Sequence, residues 1–344
     1  LSGCVPLGPA PVTPAQIPAL EDRVAREPEN PEAQFQLGAA LAAGNRCDEA
    51  IETAQLGRDL DPADPAGVLV IGQCLEGAGN LDEALRLYGQ YTARYGDAPG
   101  AAAIEGQRAL ALKRRAREVA RLAVATEETL PPADPETVGV LPFLVDGNPE
   151  YQPLSVGLAH MLTTDLALLR RFSMVERVEL NALLQEIQIP REMVDPESAA
   201  RAGRLLRASR VVLGTLSVPS EPGTRLGGNI VLETGELTEP LTLEGDLRDL
   251  LALEKTYALR VAEQLGYQLS QAERQRILEN QPGSLAAFLA FSKGLLEEDL
   301  GNYENAAAYF RDAVQADPGY EEAQEGLRRA VGADALSTSS PGDV

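Results

Sequence analysis

The sequence predicts a multidomain α+β protein in which α-helical repeats flank an α/β sandwich with a mixed sheet. Three observations carry that expectation. An apolar pattern recurs with a 34-residue period early in the chain and returns near its end. Between these regions, short apolar runs alternate with amphipathic segments. A polar, Pro-rich break, TEETLPPADPET (126–137), divides the first helical region from that middle stretch. Helix-period and strand-period segments thus occupy different parts of the chain, which argues against a single all-α fold.

The repeat is read by aligning NPEAQFQLGAALAAGNRCDEAIETAQLGRDLDP (30–62) with DPAGVLVIGQCLEGAGNLDEALRLYGQYTARYG (64–96). Gly38 aligns with Gly72, Leu41 with Leu75 and Ala50 with Ala84, each 34 positions on. The tripeptide Asp48-Glu49-Ala50 recurs as Asp82-Glu83-Ala84. This is the tetratricopeptide period and pattern. Small residues at Gly38, Ala50, Gly72 and Ala84 let two antiparallel helices approach closely. Leu37, Leu41, Ile71 and Leu75 fill the seam, and Pro62 stops the second helix.

A third unit begins at Pro99, with Gly106 in the matching place, and runs on as a long basic helix, GQRALALKRRAREVARLAV. Its KRRAR run (113–117) is read as the solvated outer face of a capping helix rather than a nucleic-acid patch. The pattern returns in SLAAFLAFSKGLLEEDLGNYENAAAYFRDAVQADPGYEEAQ (284–324), with Gly294, Tyr303, Ala306, Phe310, Ala313 and Pro318 at repeat positions. Such repeats build surfaces that bind peptides or proteins and do not themselves catalyse reactions.

The middle stretch changes period. VGVLPFLV (138–145) reads as a buried strand. Leu154, Leu158, Leu162 and Leu166 share one helical face, FSMVER (172–177) reads as a second strand, and 178–189 as an amphipathic helix. DPESAARAGRLLRA (195–208) is a helix with Asp195 or Ser198 as N-cap. SRVVLGTLSV (209–218), LGGNIVLETGEL (226–237) and PLTLEGDL (240–247) read as strands, and 248–266 as a closing helix.

VGVLPF, a helix, MVERVELNALLQEI and then AARAGRLLRASRVVLGTLSV together resemble the CsgG-type fold. That group includes curli-secretion lipoproteins, penicillin-binding-protein activators, FlgO-type lipoproteins and the related TolB amino-terminal-like domains. The resemblance covers residue 137 to about 268. Glu176, Arg177 and Glu186 are its distinctive polar positions, while Gly203 and Gly214 fit close helix–strand packing. The resemblance implies an envelope lipoprotein that binds other proteins. The curli-type pore threads two long hairpins per subunit through the outer membrane, each crossing strand needing about 9–11 alternating residues. Here the three candidate strands are expected to be used by the domain's own sheet.

Composition narrows the chemistry. The 344-residue chain carries a net charge of −22, one His and three Cys. Nucleic acid is excluded as a partner because phosphate binding needs a basic face. His160 has no companion ligand and is read as structural. Glu176 and Arg177 are read as a salt-bridge or capping pair at a strand–helix junction. No phosphate loop, nucleophile elbow or metal spacing occurs, so no catalytic, cofactor-binding or metal residue is assigned and no enzyme activity is expected.

Cys47 opens the second helix of one repeat and Cys74 ends the first helix of the next. These helices pack antiparallel, so the two can form a disulfide in an oxidising compartment, or remain two small reduced core residues. Given the lipoprotein resemblance, LSGC (1–4) resembles a bacterial lipobox, with Cys4 the lipidated residue and Val5 directing outer-membrane sorting.

The expected organisation is a lipobox and Pro-rich tether (1–20), repeats with a capping helix (21–125), a linker (126–137), the CsgG-like domain (138–268), C-terminal repeat helices (269–332) and a tail (333–344). The expected role is a non-enzymatic scaffold, lipid-anchored on the periplasmic side of the outer membrane. It recruits other envelope proteins through its repeats. The alternatives are a subunit of a homo-oligomeric secretion assembly and an activator of peptidoglycan synthesis.

Overall fold

The structure is a computed structural model describing residues 12–190, 193–219 and 223–337. It divides into two units, one built from the residues up to 115 together with those from 328 on, the other from residues 116–327.

The first unit holds α1 (Ile17–Arg26), α2 (Pro31–Ala43), α3 (Cys47–Leu60), α4 (Pro65–Gly77), α5 (Leu81–Tyr95) and the first part of α6 (Ala101–Ala125). The sequence starts α2 and α4 in the same way. Asn30 and Asp64 accept hydrogen bonds from Ala33 N and Ala66 N, and a proline occupies the first turn where no donor is lost. Ala50, Ala54 and Ala84 are fully buried, and Leu37, Leu41 and Ile71 pack in the seam. Gly72 is obligatory because a Cβ there would overlap the Tyr88 ring. Residues 328–337 pack on α6, where a Cβ on Gly106 would overlap the backbone of Gly332 and Ala333. The two helices cross nearly backbone to backbone.

The run KRRAR is not simply a solvated face. Arg114 pairs with Glu76, whose side chain is 3% exposed, and Arg115 Nε lies 2.5 Å from Asp82. Glu76 Oε1 also accepts from Tyr88 Oη at 2.6 Å and Gln107 Nε2 at 2.7 Å. One buried carboxylate therefore ties α4, α5 and α6 together, and the basic run supplies its countercharge. Glu76→Ala is expected to destabilise this unit by about 3 kcal/mol, because a buried phenol and amide lose their acceptor. Chemical denaturation followed by circular dichroism measures it, and a loss under about 1 kcal/mol would contradict the network.

The second unit begins with the rest of α6 and contains β1 (Asp134–Val140), β2 (Leu144–Gly147), α7 (Leu154–Ala167), β3 (Ser173–Met174), α8 (Arg177–Glu186), α9 (Pro196–Leu205), β4 (Ala208–Val218), β5 (Thr224–Leu232), β6 (Leu241–Gly245) and α10 (Leu250–Gln264). Then follow α11 (Gln271–Glu279), α12 (Leu285–Leu300), α13 (Tyr303–Ala316) and the start of α14 (Glu321–Ser337). The strands form one mixed sheet in the order β3-β1-β4-β5-β6, with β2 also paired to β4. β1 is parallel to β3 and β4, β2 is parallel to β4, and the remaining pairs are antiparallel. All three candidate strands of the second half are thus used by this sheet.

Alternation along β4 separates two helical layers. Val211 packs with the core beneath α8 and α9, whereas Gly214 lies under Phe143. Gly228, opposite Gly214, lies against Tyr257 of α10. The expected sandwich with a mixed sheet, flanked by repeat helices, is borne out.

Several boundaries differ from the sequence expectation. The linker (126–137) ends in strand, because β1 starts at Asp134 and contains Pro135. The register shifts between Asp134 and Val138, and a bulge there tolerates a residue with no N–H. VGVLPFLV forms two strands, not one. Pro142 cannot donate, and Phe143 N turns away to bond Ser155 O at 3.0 Å. FSMVER gives only two strand residues, since Glu176 already stands at the N-cap position of α8. Pro318 is exposed in the α13–α14 turn, so it stops α13 rather than packing in a seam.

Candidate functional site

The polar residues Glu176 and Arg177 lie where β3 ends and α8 begins. Beside them, at the carboxyl ends of the parallel strands β1 and β3, is a cavity of about 160 Å³. Sites in sheets of this kind form outside strand carboxyl ends, where neighbouring connections diverge. Its wall is mainly apolar, with Val140, Pro142, Val156, Ala159 and Leu180, and also includes His160, Thr163, Thr164 and Asn181.

Arg177 reaches across this corner to α12. It donates to Leu295 O at 3.3 Å and Glu298 Oε2 at 2.6 Å, and it pairs with Asp299. The side chains of Glu298 and Asp299 are each 4% exposed. The rest of the α7–α12 seam is close packed. A Cβ on Gly157 would overlap Ser292, whose hydroxyl donates to Phe288 O at 2.7 Å. His160 lies 5.4 Å from the Phe291 ring, which in turn contacts Tyr320 at 4.8 Å. The α12–α13 hairpin closes in the repeat manner, with Gly294 under Phe310 and Ala306 fully buried. Gly301 takes the left-handed conformation (φ +85°) that ends α12.

A second cavity, about 210 Å³, lies on the far side of His160 and Thr164. Asn280, in its wall, leads to a buried ionic cluster that sequence reading did not find. Asn280 Nδ2 donates to Asp165 Oδ1 at 2.8 Å, and Lys255 Nζ lies 2.6 Å from Asp165 Oδ2 and 3.1 Å from Glu254 Oε2. Asp165, Glu254 and Lys255 are each at most 1% exposed. One cation faces two carboxyls, so burial and the Asp165 charge push the Glu254 carboxyl up to about 8. Burial also raises Asp165, against the opposing pull of Lys255. The amide and the ammonium both hydrogen-bond Asp165, which places the charge there and the proton on Glu254. The available sequence signal was a lone Asp inside the apolar face MLTTDLALL.

The other expected residues are placed as follows. Glu186, on α8, lies 3.7 Å from Arg121 Nε. Cys47 and Cys74 have Cα atoms 5.5 Å apart with their sulfurs in contact. Cys4 lies outside the described residues. Among the described residues no three His, Cys, Asp or Glu side chains are grouped to hold a metal ion. Nor is any helix among them long and apolar enough to cross a membrane.

Residues 123–234 match the family model described as curli production assembly/transport component CsgG. The chain is CsgG-like. Two tetratricopeptide-repeat models match residues 17–65 and 289–320, so the CsgG-like protein also carries repeats of that kind before and after that segment in sequence. No curated protein matches the chain in sequence. The CsgG match starts in the last turn of α6 and ends after β5, earlier at both ends than the resemblance at residues 137 to about 268. Its start agrees with packing. Ala116, Ala120 and Ala123 of α6 share a core with Leu183 and Leu205 of α8 and α9, and Glu127 pairs with Arg201 at 2.8 Å. CsgG-like and tetratricopeptide segments together mark a protein-interaction or assembly role, the CsgG family is associated with the bacterial envelope, and neither family is catalytic in general.

Oxidised, Cys47 and Cys74 would close a loop with a sequence separation of 27. Replacing both with Ser is expected to lower the stability of the first unit by about 3 kcal/mol, mostly through the freed unfolded chain. Denaturation with and without reductant measures it. Equal midpoints for the wild type in both conditions would refute an oxidised pair.

Proposed function

We propose that this chain is a scaffold or assembly factor of the bacterial envelope, anchored by lipid on Cys4 to the periplasmic side of the outer membrane. The observation that carries the reading is the combination of a CsgG-type domain with tetratricopeptide repeats. The lipobox-like LSGC supports the anchor. A lipid chain contributes about 0.8 kcal/mol per buried methylene, so an anchor needs no spanning helix. The C-terminal repeat packs α12 against α7 of its own unit, so the crosslinking site is taken on the N-terminal repeats. There Leu69 is half-buried and Gln73 exposed on α4.

The test uses full-length protein in its native cells. Metabolic labelling with an alkyne fatty acid is expected to mark the wild type but not Cys4→Ser. A photo-crosslinker at Gln73 is expected to capture one discrete envelope protein. Labelling that survives Cys4→Ser would overturn the anchor, and adducts only with cytosolic proteins would overturn the compartment.

A further inference from the structure

We propose that the two cavities adjoining along His160 and Thr164 form one bipartite socket for a partner segment that carries an apolar side chain next to a lysine or arginine. The proposal rests on the protein-binding reading above and names the chemistry it recognises.

His160 and Thr164 are one helical turn apart on α7 and line both cavities, so they form a shared ridge with a cavity on each side. The two sides differ in chemistry. The first, at about 160 Å³, has an aliphatic part formed by Val140, Pro142, Val156, Ala159, Val175 and Leu180, with Glu176 and Arg177 also in its wall. An apolar cavity of about 150 Å³ holds a benzene-sized group, so this one suits a single Leu or Phe side chain. The second, at about 210 Å³, is walled by Glu279, Asp317, Glu321 and Glu322 and includes no Lys or Arg. Asp317 is partly committed, accepting from Gly283 N at 2.7 Å and Gly319 N at 3.1 Å. Glu279 accepts from Gln275 Nε2 at 2.7 Å, and with Glu321 and Glu322 it brings negative charge to the wall, in a chain of net charge −22. An apolar anchor held in a pocket with a complementary charge beside it is how a short segment gains both affinity and register.

The chain's three methionines make the test direct. Met174 lines the apolar cavity, Met161 lines the acidic one, and Met193 is 71% exposed and belongs to neither. The full chain, labelled with ¹³C at its methionine methyls, is titrated with the peptide acetyl-Gly-Ser-Leu-Lys-Ser-Gly-amide. Saturable shifts of Met161 and Met174 together, with Met193 unmoved, are expected. The same peptide with Glu for Lys, or Gly for Leu, should bind at least fivefold more weakly. Glu321→Gln with Glu322→Gln, at the start of α14, should weaken the Lys peptide and leave the free Met174 and Met193 signals in place. The proposal is overturned if the Glu peptide binds as well, if only one of the two methyls moves, if Met193 moves with them, or if nothing shifts at millimolar peptide. Such a failure leaves the envelope reading standing, because that reading is measured at Cys4 and Gln73.

Discussion

Replacing Arg177 with Met is expected to destabilise the second unit by about 3–5 kcal/mol, the usual cost of removing one partner from a buried ion pair. The side chains of Glu298 and Asp299 are each 4% exposed, and both face the Arg177 guanidinium. Without that cation, two adjacent buried carboxylates lose the guanidinium they share. Arg177→Lys should recover only part of the loss, since a single ammonium cannot reproduce the fork that also reaches Leu295 O. Neutralising the acids as well, in Arg177→Met with Glu298→Gln and Asp299→Asn, should restore much of it. The measurements are the urea midpoint and the hydrogen-exchange protection of α12 and α13. A cost below about 1 kcal/mol, or a triple variant no better than the single one, would show that the pair does not fasten the repeat to the CsgG-like core.

Arg177 also shows how much of this molecule is legible in sequence. Its position at a strand–helix junction was readable, and so was its polar character. Its partners on α12 lie 121 and 122 positions away, beyond any local pattern. The repeats were readable because their packing is periodic. A residue such as Gly72 meets Tyr88 within one hairpin, and Gly38 meets Ala54 at the corresponding positions one period earlier. Strand boundaries were less legible, because prolines decide them through hydrogen bonds made elsewhere. Phe143 N leaves the sheet for a carbonyl of α7. The basic run of α6 was misleading for a similar reason: Arg114 looks like surface until Glu76, 38 positions earlier, is seen buried beneath it. The ionic cluster of Asp165, Lys255 and Glu254 left only one mark in the sequence, the lone Asp165 in an apolar run, because its partner Lys255 lies 90 positions on.

That cluster yields the second large effect. The stability of the second unit is expected to rise as pH falls from 8 toward 5, by about 1 kcal/mol per pH unit. Folding raises the Glu254 carboxyl from 4.5 to about 8, through burial first and the neighbouring Asp165 charge second. Between these two values the folded protein keeps a proton that the unfolded chain has released. Each step up in pH therefore favours unfolding until the folded group titrates near 8, above which its contribution is level. A carboxyl lowered by folding would give the opposite slope. Asp165 is raised in the same direction, so its contribution adds at the acid end of the window. Glu254→Gln fills the same space with a neutral amide and should remove most of the slope between pH 5 and 8. Asn280→Ala takes away one hydrogen-bond donor to Asp165 and should leave the slope while lowering stability at every pH. Urea midpoints measured across this range decide the matter. A wild type that is flat from pH 5 to 8, or a Glu254→Gln variant with the wild-type slope, would mean that the proton does not reside on Glu254.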